Sequence, residues 1–365
     1  MNSNYKIHQI ECVQSPHFTK NYLETKKRIN RDLNLLLTNA KSEINNNKQW
    51  DVSKKRINEY ELISMYINQK ISPISRSYYK LIEILTDFNL DVFFHQRTNV
   101  KCACICEGPG GFVQALNHYM RKKNIQFDTI PCISLISSDR RIPKWKVESE
   151  NLSYRLCYGE DKTGDLYKKN NIHHFVNDVG KFSCDFVTAD GGFDFSSNFN
   201  SQEVLFQRLL FSEIYTILKI QKNGGKCVIK VFDLFDDITI SLITLLVTCY
   251  RNVYIHKPFS SRPANSEKYL ICMDYNANED ILTSLEELFS KDLSMIHQIC
   301  DPELNNLTIQ SISDYNKTFV KNQIHYINRT IEHTMYDVSR NNNVTVSDNL
   351  NAGLCIEWVN KYMRT

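Results

Sequence analysis

The 365-residue chain carries 44 Lys and Arg against 41 Asp and Glu, a net charge of +3, with 42% hydrophobic and 23% charged residues and only 11 Gly and 8 Pro. This profile excludes collagenous, low-complexity and mostly disordered chains. It is also too near neutrality for a protein that coats nucleic acid by bulk charge, so any polyanion site must be a local patch.

The first 70 residues are rich in Lys, Asn and Glu, and helical periodicity over 22–37 and again near 56–67 predicts a helical extension. Residues 1–18 lack the charged and apolar regions of a signal peptide. From Ser75, placed to cap a helix, Tyr78, Leu81, Ile82, Leu85 and Phe88 recur at helical spacing and leave Arg76, Lys80 and Glu83 on another face. Strand-like runs then follow at 100–106, 129–136, 154–158, 184–189, 225–232, 252–256 and 268–273, with helix-like runs at 111–123, 201–221 and 236–249. Such alternation predicts an α/β fold with a largely parallel sheet and helices on both faces. The last two strands are joined by a short Pro-containing loop, so the final one is expected to return antiparallel at the edge. After Asp274 the chain is polar, with one apolar helical face over 281–288 and 309–331 and a tail around 341–349 expected to be mobile. The expected domains are an N-terminal extension over 1–70, a central α/β domain over 71–276 and a mainly helical extension over 277–365.

None of the twelve cysteines forms a C-x-x-C pair, and Cys102, Cys104 and Cys106 alternate along one strand, which predicts buried reduced thiols in a cytosolic protein. The most apolar stretch, 238–250, is too short to span a membrane.

Glu107-Gly108-Pro109-Gly110-Gly111 follows the first central strand and opens a helix, where ligands meet the carboxyl ends of parallel strands. The turn has neither G-x-G-x-x-G spacing nor a Gly-Lys-Ser/Thr ending, which disfavours dinucleotides and nucleoside triphosphates and leaves S-adenosylmethionine as the better fit. Asp190, followed by Gly191 and Gly192, ends a strand in the same crevice. Lys230 lies inside the apolar run 227–232, where burial is costly unless the amine is used. Glu267 opens the last strand and is unremarkable alone.

Taken in order, Ser75-Arg76-Ser77-Tyr78-Tyr79-Lys80, residues 106–112, Ala189-Asp190-Gly191-Gly192-Phe193, Lys230-Val231-Phe232-Asp233-Leu234-Phe235 and residues 257–267 resemble the FtsJ-type RNA ribose 2′-O-methyltransferases. The Ser-Arg-Pro-Ala-Asn-Ser-Glu block, the Phe-Asp-Leu-Phe run, and Tyr158-Gly159 leading to Gly164-Asp165-Leu166 are most similar to the messenger-RNA cap branch found in eukaryotes and large DNA viruses. The resemblance implies a Rossmann-like methyltransferase fold with a mostly parallel seven-stranded sheet. It puts the family's Lys-Asp-Lys-Glu tetrad on Lys80, Asp190, Lys230 and Glu267. Lys230 is then expected to take the proton of a ribose 2′-hydroxyl or stabilise its oxyanion; as a base it needs its pKa lowered toward neutrality by burial and by Lys80. Asp190 would orient Lys230, and Glu267 would hold Lys80.

The resemblance further implies S-adenosylmethionine held by Cys106, Glu107, Gly108, Pro109, Gly110, Gly111 and Phe112 around its methionine and ribose, with Asp165 near the adenine and no metal required. Glu107 departs from the small residue more usual there and is expected either to contact the cofactor or to point to solvent. Asp139 is the nearest candidate for the acid after the second strand. RNA contacts are expected from Arg56, Asn200, Ser201, Gln202, Arg262 and Asn265. Arg76, Lys257, Arg262 and Lys268 are expected to neutralise phosphates, and Trp145 to stack on a methylated guanine. The expected partners are the capped mRNA 5′ end and other capping or transcription proteins, with no membrane. The expected location is the cytoplasm, or a viral factory or virion, since the Lys-, Asn- and Ile-rich wording suggests an AT-rich genome. The competing readings are a 2′-O-methyltransferase of ribosomal or transfer RNA, and an RNA-binding subunit associated with a polymerase or with polyadenylation.

Overall fold

Continuous apolar runs become strands when helices cover both faces of a sheet, and here Cys102–Ile105, Ile130–Ile133 and Cys184–Ala189 are buried at every position. The computed structural model describes residues 7–11, 29–45, 47, 49–67, 71–139, 141–146, 151–195, 198–291, 306–339 and 348–364. In chain order its elements are β1 (Ile7–Ile10), α1 (Arg31–Asn45), α2 (Trp50–Arg56), α3 (Ile63–Tyr66), α4 (Ser77–Asp87), α5 (Leu90–His95), β2 (Cys102–Ile105), α6 (Gly111–Lys122), β3 (Ile130–Ile133), β4 (Tyr154–Cys157), α7 (Lys169–Val179) and β5 (Cys184–Ala189). There follow α8 (Gln202–Ile220), β6 (Gln221–Val231), α9 (Asp237–Cys249), β7 (Tyr250–His256), β8 (Lys268–Tyr275), α10 (Glu279–Phe289), α11 (Asn306–Ser339) and α12 (Asp348–Val359).

The strands order as β1-β7-β8-β6-β5-β2-β3-β4. The five from β4 to β6 are mutually parallel, while β8 runs antiparallel between β6 and β7. This is the Rossmann-like methyltransferase arrangement, with one strand more than the seven expected. The eighth is β1, which pairs Ile7 to Ile10 antiparallel with His256 to Val253. Two sequence expectations are corrected. The last strand is interior: β8 is apolar along nearly its whole length, and both of its edges are paired, so β7 and then β1 form that side of the sheet. Ser75 does not cap α4 through its side chain. The helix starts at Ser77, and the Ser75 hydroxyl meets that of Ser77 at 2.5 Å instead. Gly111 is required there, because a Cβ would collide with both hydroxyls where α6 crosses α4.

Helices α5 and α7 were not read from the sequence. Helix α1 begins at Arg31, and residues 22–28 of the expected first helix lie outside the described residues, as do 341–347 of the expected mobile tail. Both chain extensions pack on the central fold, β1 and α11 at the sheet edge and α12 on α4. Ser311 and Thr308 of α11 donate to the Gln9 and Glu11 carbonyls beside β1, and Trp358 of α12 donates to Glu83 of α4. Among the described residues the ten cysteines are free thiols, nine of them buried, and no helix is long and apolar enough to cross a membrane.

Candidate active site

Strands β2, β5 and β6 lie side by side, so their carboxyl ends present the glycine turn after Cys106, the Asp190 turn and Lys230 to one crevice. Lys230 Nζ donates to the Asp190 carbonyl at 2.8 Å and lies 3.1 Å from its Oδ1. Tyr269, opposite Lys230 in the β6–β8 register, donates its hydroxyl to the same Oδ1 at 3.0 Å. From the other side α4 brings Lys80, whose Nζ is 2.7 and 2.9 Å from the two oxygens of Glu267. Ser261 donates to Glu267 Oε1 at 2.8 Å, and Lys257 donates to the Glu267 and Asn265 carbonyls. All four expected tetrad residues therefore converge as two half-buried ion pairs, and Lys230 and Glu267 also feel each other's charge.

The electrostatics correct one expectation. Burial acts to strip the proton from Lys230, but the Asp190, Glu267 and Glu213 carboxylates outweigh it and hold the ammonium above the ordinary lysine range. The expected lowering toward neutrality fails because the sequence showed the burial and not the number of acids around it. Burial likewise acts to protonate Glu267, and Lys80, Lys230 and Lys257 overcome it, keeping the carboxylate ionised well below the usual range.

Glu107 points neither to solvent nor along the surface. It is 2% exposed, its Oε1 accepts from the Thr188 hydroxyl at 2.6 Å, and its Oε2 has no partner among the described residues. Burial, then Cys104 and Asp190, push its carboxyl well up. Asp165 follows β4 on a loop whose Gly164 lies against the Ser134 carbonyl after β3, and its Oδ1 accepts from the Tyr167 N–H. Asp139 is spent on a bidentate bond to Arg141, which holds its carboxyl at about 2. Trp145 is half-buried against the core, and the next residue, Lys146, donates its N–H to the Pro109 carbonyl, so this segment folds against the glycine turn.

The expected RNA contacts are dispersed around the crevice. Arg56 is exposed at the end of α2. Asn200 donates to the Thr38 carbonyl and the Ser42 hydroxyl of α1, Ser201 ends the short turn before α8, and Gln202 is buried at the start of that helix. Arg262 is bound bidentately to Glu61 at 3.0 and 2.6 Å, and Arg76 donates to the Ser260 carbonyl with Glu61 beside it. Lys257 and Lys268 are corrected outright as phosphate contacts. They are 3% and 1% exposed and give their protons to backbone carbonyls.

Two residues missed in the sequence complete the crevice. Tyr269 is placed by strand register. Glu213 of α8 lies fully buried beneath Gly191, and its only sequence signal was a single acid in an otherwise apolar stretch of helix. One further acidic and histidine group, Glu83 with Asp87 and His256, could by proximity hold a metal. Its carboxylates are already used: Glu83 accepts from Phe259, Ser260 and Trp358, and Asp87 from Lys361 and Tyr362.

The crevice fits S-adenosylmethionine. The turn after β2 offers backbone without a phosphate cradle, Glu107 Oε2 is a buried polar atom without a partner beside it among the described residues, and Asp165 follows β4, two strands along the sheet. Fold and site together define a Rossmann-like, S-adenosylmethionine-dependent methyltransferase. The chain belongs to the FtsJ-like methyltransferases, a family that matches residues 73–275, more than half of its length. It is similar to the cap-specific mRNA (nucleoside-2′-O-)-methyltransferase 2 of Danio rerio, with 31% identity over 227 residues, 59% of this chain and 30% of the relative. It is likewise similar to the cap-specific mRNA (nucleoside-2′-O-)-methyltransferase 1 of Mus musculus, with 33% identity over 200 residues, 53% of this chain and 23% of the relative. The methyltransferase 1 of Leishmania braziliensis is 35% identical over 181 residues, 47% of this chain and 44% of the relative. The chain covers less than half the length of each.

Proposed function

We propose that the protein is a cap-specific mRNA nucleoside 2′-O-methyltransferase acting on the first transcribed nucleotide of capped RNA. The observation that carries this reading is the convergence of Lys80, Asp190, Lys230 and Glu267 in two ion pairs beside the glycine turn. The names of the relatives support the capped substrate. Bound S-adenosylmethionine supplies an electrophilic methyl group, and residues 106–112 with Asp165 would hold it. A ribose 2′-hydroxyl attacks poorly until its proton leaves. Lys230 in its neutral form would take that proton, and the 2′-oxygen would gain the methyl carbon as that carbon's bond to the sulfonium sulfur breaks, the bond's electron pair staying on the sulfur as a neutral thioether. Asp190 fixes the amine from one side while Tyr269 fixes Asp190. Because carboxylates hold the resting ammonium, the neutral amine is a minority form at neutral pH and transfer accelerates as pH rises. A flat profile would instead assign Lys230 to stabilising the oxyanion as an ammonium.

Of the expected contacts we place the RNA along Arg56, Asn200, Ser201, Arg262 and Asn265, and leave out Gln202, which is buried. Arg262 brings no net charge because Glu61 neutralises it, so affinity there rests on hydrogen bonds and stacking more than on bulk attraction. The tetrad supplies both acids and bases, and full activity in chelator is expected. The same reading puts the protein in the cytoplasm, or in a viral factory or virion if its source is a virus, alongside other capping or transcription proteins. The test is transfer of a labelled methyl group to two RNAs of one sequence, one capped and one with a 5′-triphosphate. Label on the capped RNA alone, mapped to its first ribose, supports the reading. Equal labelling would move the activity to ribosomal or transfer RNA, and none on either would favour an RNA-binding subunit.

A further inference from the structure

Glu213 stands in the middle of α8 between Phe211 and Tyr215, fully buried. Three elements converge on it. The turn after β5 passes so close that a Cβ on Gly191 would collide with its Oε1, while at the next residue, Gly192, a Cβ would lie 3.4 Å from Lys230 Nζ. Gly191 thus makes room for the Glu213 carboxyl, while at Gly192 a Cβ would only touch Lys230 at ordinary contact distance. At the end of β2 the Cys106 thiol faces it, and neither Glu213 carboxyl oxygen has a hydrogen-bond partner among the described residues. The charged and titratable groups facing it are Cys106 from β2, Asp190 from β5, Lys230 from β6 and Tyr167 from the loop after β4, with Glu107 one step further along the β2 end.

We propose that Glu213 is a positioning residue for methyl transfer: wedged between the two strand-end turns, its carboxyl fixes Asp190 and Gly191 against Cys106 and sets how firmly the proton is held on Lys230. The inference rests on the methyl-transfer reading above. Burial pushes the Glu213 carboxyl up to about 8, with Lys230 opposing. Near neutrality it is mostly protonated and serves as a wedge. Above that pH it ionises and adds a negative charge beside Lys230 in the range where the amine must lose its proton.

Two substitutions separate wedge from charge, with folding checked by thermal melting. Glu213→Gln keeps the shape and removes the charge. The rising limb of its kcat profile should move to lower pH by about half a unit or more, with KM for S-adenosylmethionine within about twofold of the wild type. Titration of the Lys230 Nζ by NMR of ε-labelled lysine should move in the same direction. Glu213→Ala removes the wedge and should lower kcat about tenfold or more at every pH, while Gln restores most of that loss near neutrality. An unmoved limb and an unmoved Lys230 titration in Glu213→Gln, or a fully active Glu213→Ala, would overturn the proposal. If the wild type fails on capped RNA, the functional reading falls, and the Lys230 titration still decides the role of Glu213.

Discussion

Two charge clusters lie within this one sheet, the ion pairs of one half-buried and those of the other buried, and they do different work. The crevice holds Lys80, Glu267, Lys230 and Asp190 with Glu107 and Glu213 behind them. The other joins the extensions to the core. There Lys41 of α1 meets Asp233 at 2.5 Å, Lys268 donates to the Phe232 carbonyl and lies 4.2 Å over the Phe319 ring of α11, and Glu203 accepts from the Phe235 and Asp236 N–H groups at 2.8 Å. Asn316 of α11 donates to the Leu234 carbonyl, so the 232–236 run is held by side chains from α1, α8, α11 and β8. At the junction the charges close on backbone groups that would otherwise be buried without partners. In the crevice, Glu107 Oε2 is left without one, and the lysine–carboxylate pairs face the ends of the strands. Spare hydrogen-bonding capacity, more than buried charge as such, distinguishes the reactive cluster from the architectural one.

The sharpest way to break this comparison is to remove one lysine from each cluster. Lys230→Ala should reduce methyl transfer by about 10²–10⁴-fold, the usual worth of a positioned proton acceptor, while calorimetry shows S-adenosylmethionine binding within a few-fold of the wild type. Retained transfer would take Lys230 out of the mechanism. Lys41→Met should do the reverse. It leaves Asp233 buried without its ion-pair partner and should cost about 3–5 kcal/mol in chemical denaturation, with activity retained in the molecules that remain folded. A stability change below about 1 kcal/mol would mean that Lys268 alone satisfies Asp233.

Asp165→Ala probes the crevice more gently. Its carboxylate already caps the Tyr167 N–H, so the substitution should weaken S-adenosylmethionine by about tenfold and leave kcat at saturating cofactor nearly unchanged. An unchanged dissociation constant would move the adenine elsewhere in the crevice.

The tetrad was legible because each member stands in a short local pattern: a lysine on a helix face, an Asp-Gly-Gly strand end, a lysine inside an apolar run, a glutamate opening a strand. The junction was not. Lys257 and Lys268 look in sequence like surface cations flanking a polar loop, and only the pairing of β8 between β6 and β7 and the crossing of α11 put them inside. The interior place of β8 was missed for a related reason, since a short loop tells which strand is sequentially next and not which strand it inserts beside. The same lack of long-range information misjudged Lys230, whose acidic neighbours Glu213 and Glu267 are brought to it from α8 and from the start of β8.

The last expected effect separates the clusters by pH. Burial pushes Glu203 up from 4.5 to about 7, with Asp233 adding to it and the two N–H donors opposing. A carboxyl with a raised folded pKa binds its proton more tightly in the native state, so its stability contribution is complete below about 4.5 and is lost as pH rises toward 7. Glu203→Gln keeps an oxygen able to accept from Phe235 and Asp236 and removes the titration. The variant should therefore match the wild type near pH 4.5 and become the more stable of the two by pH 7–8, with methyl transfer unaffected. Urea titrations of both proteins across that range would check it. A constant difference at all pH values would mean that Glu203 stays ionised and that the junction is held by charge as well as by hydrogen bonds, which would erase the distinction drawn between the two clusters.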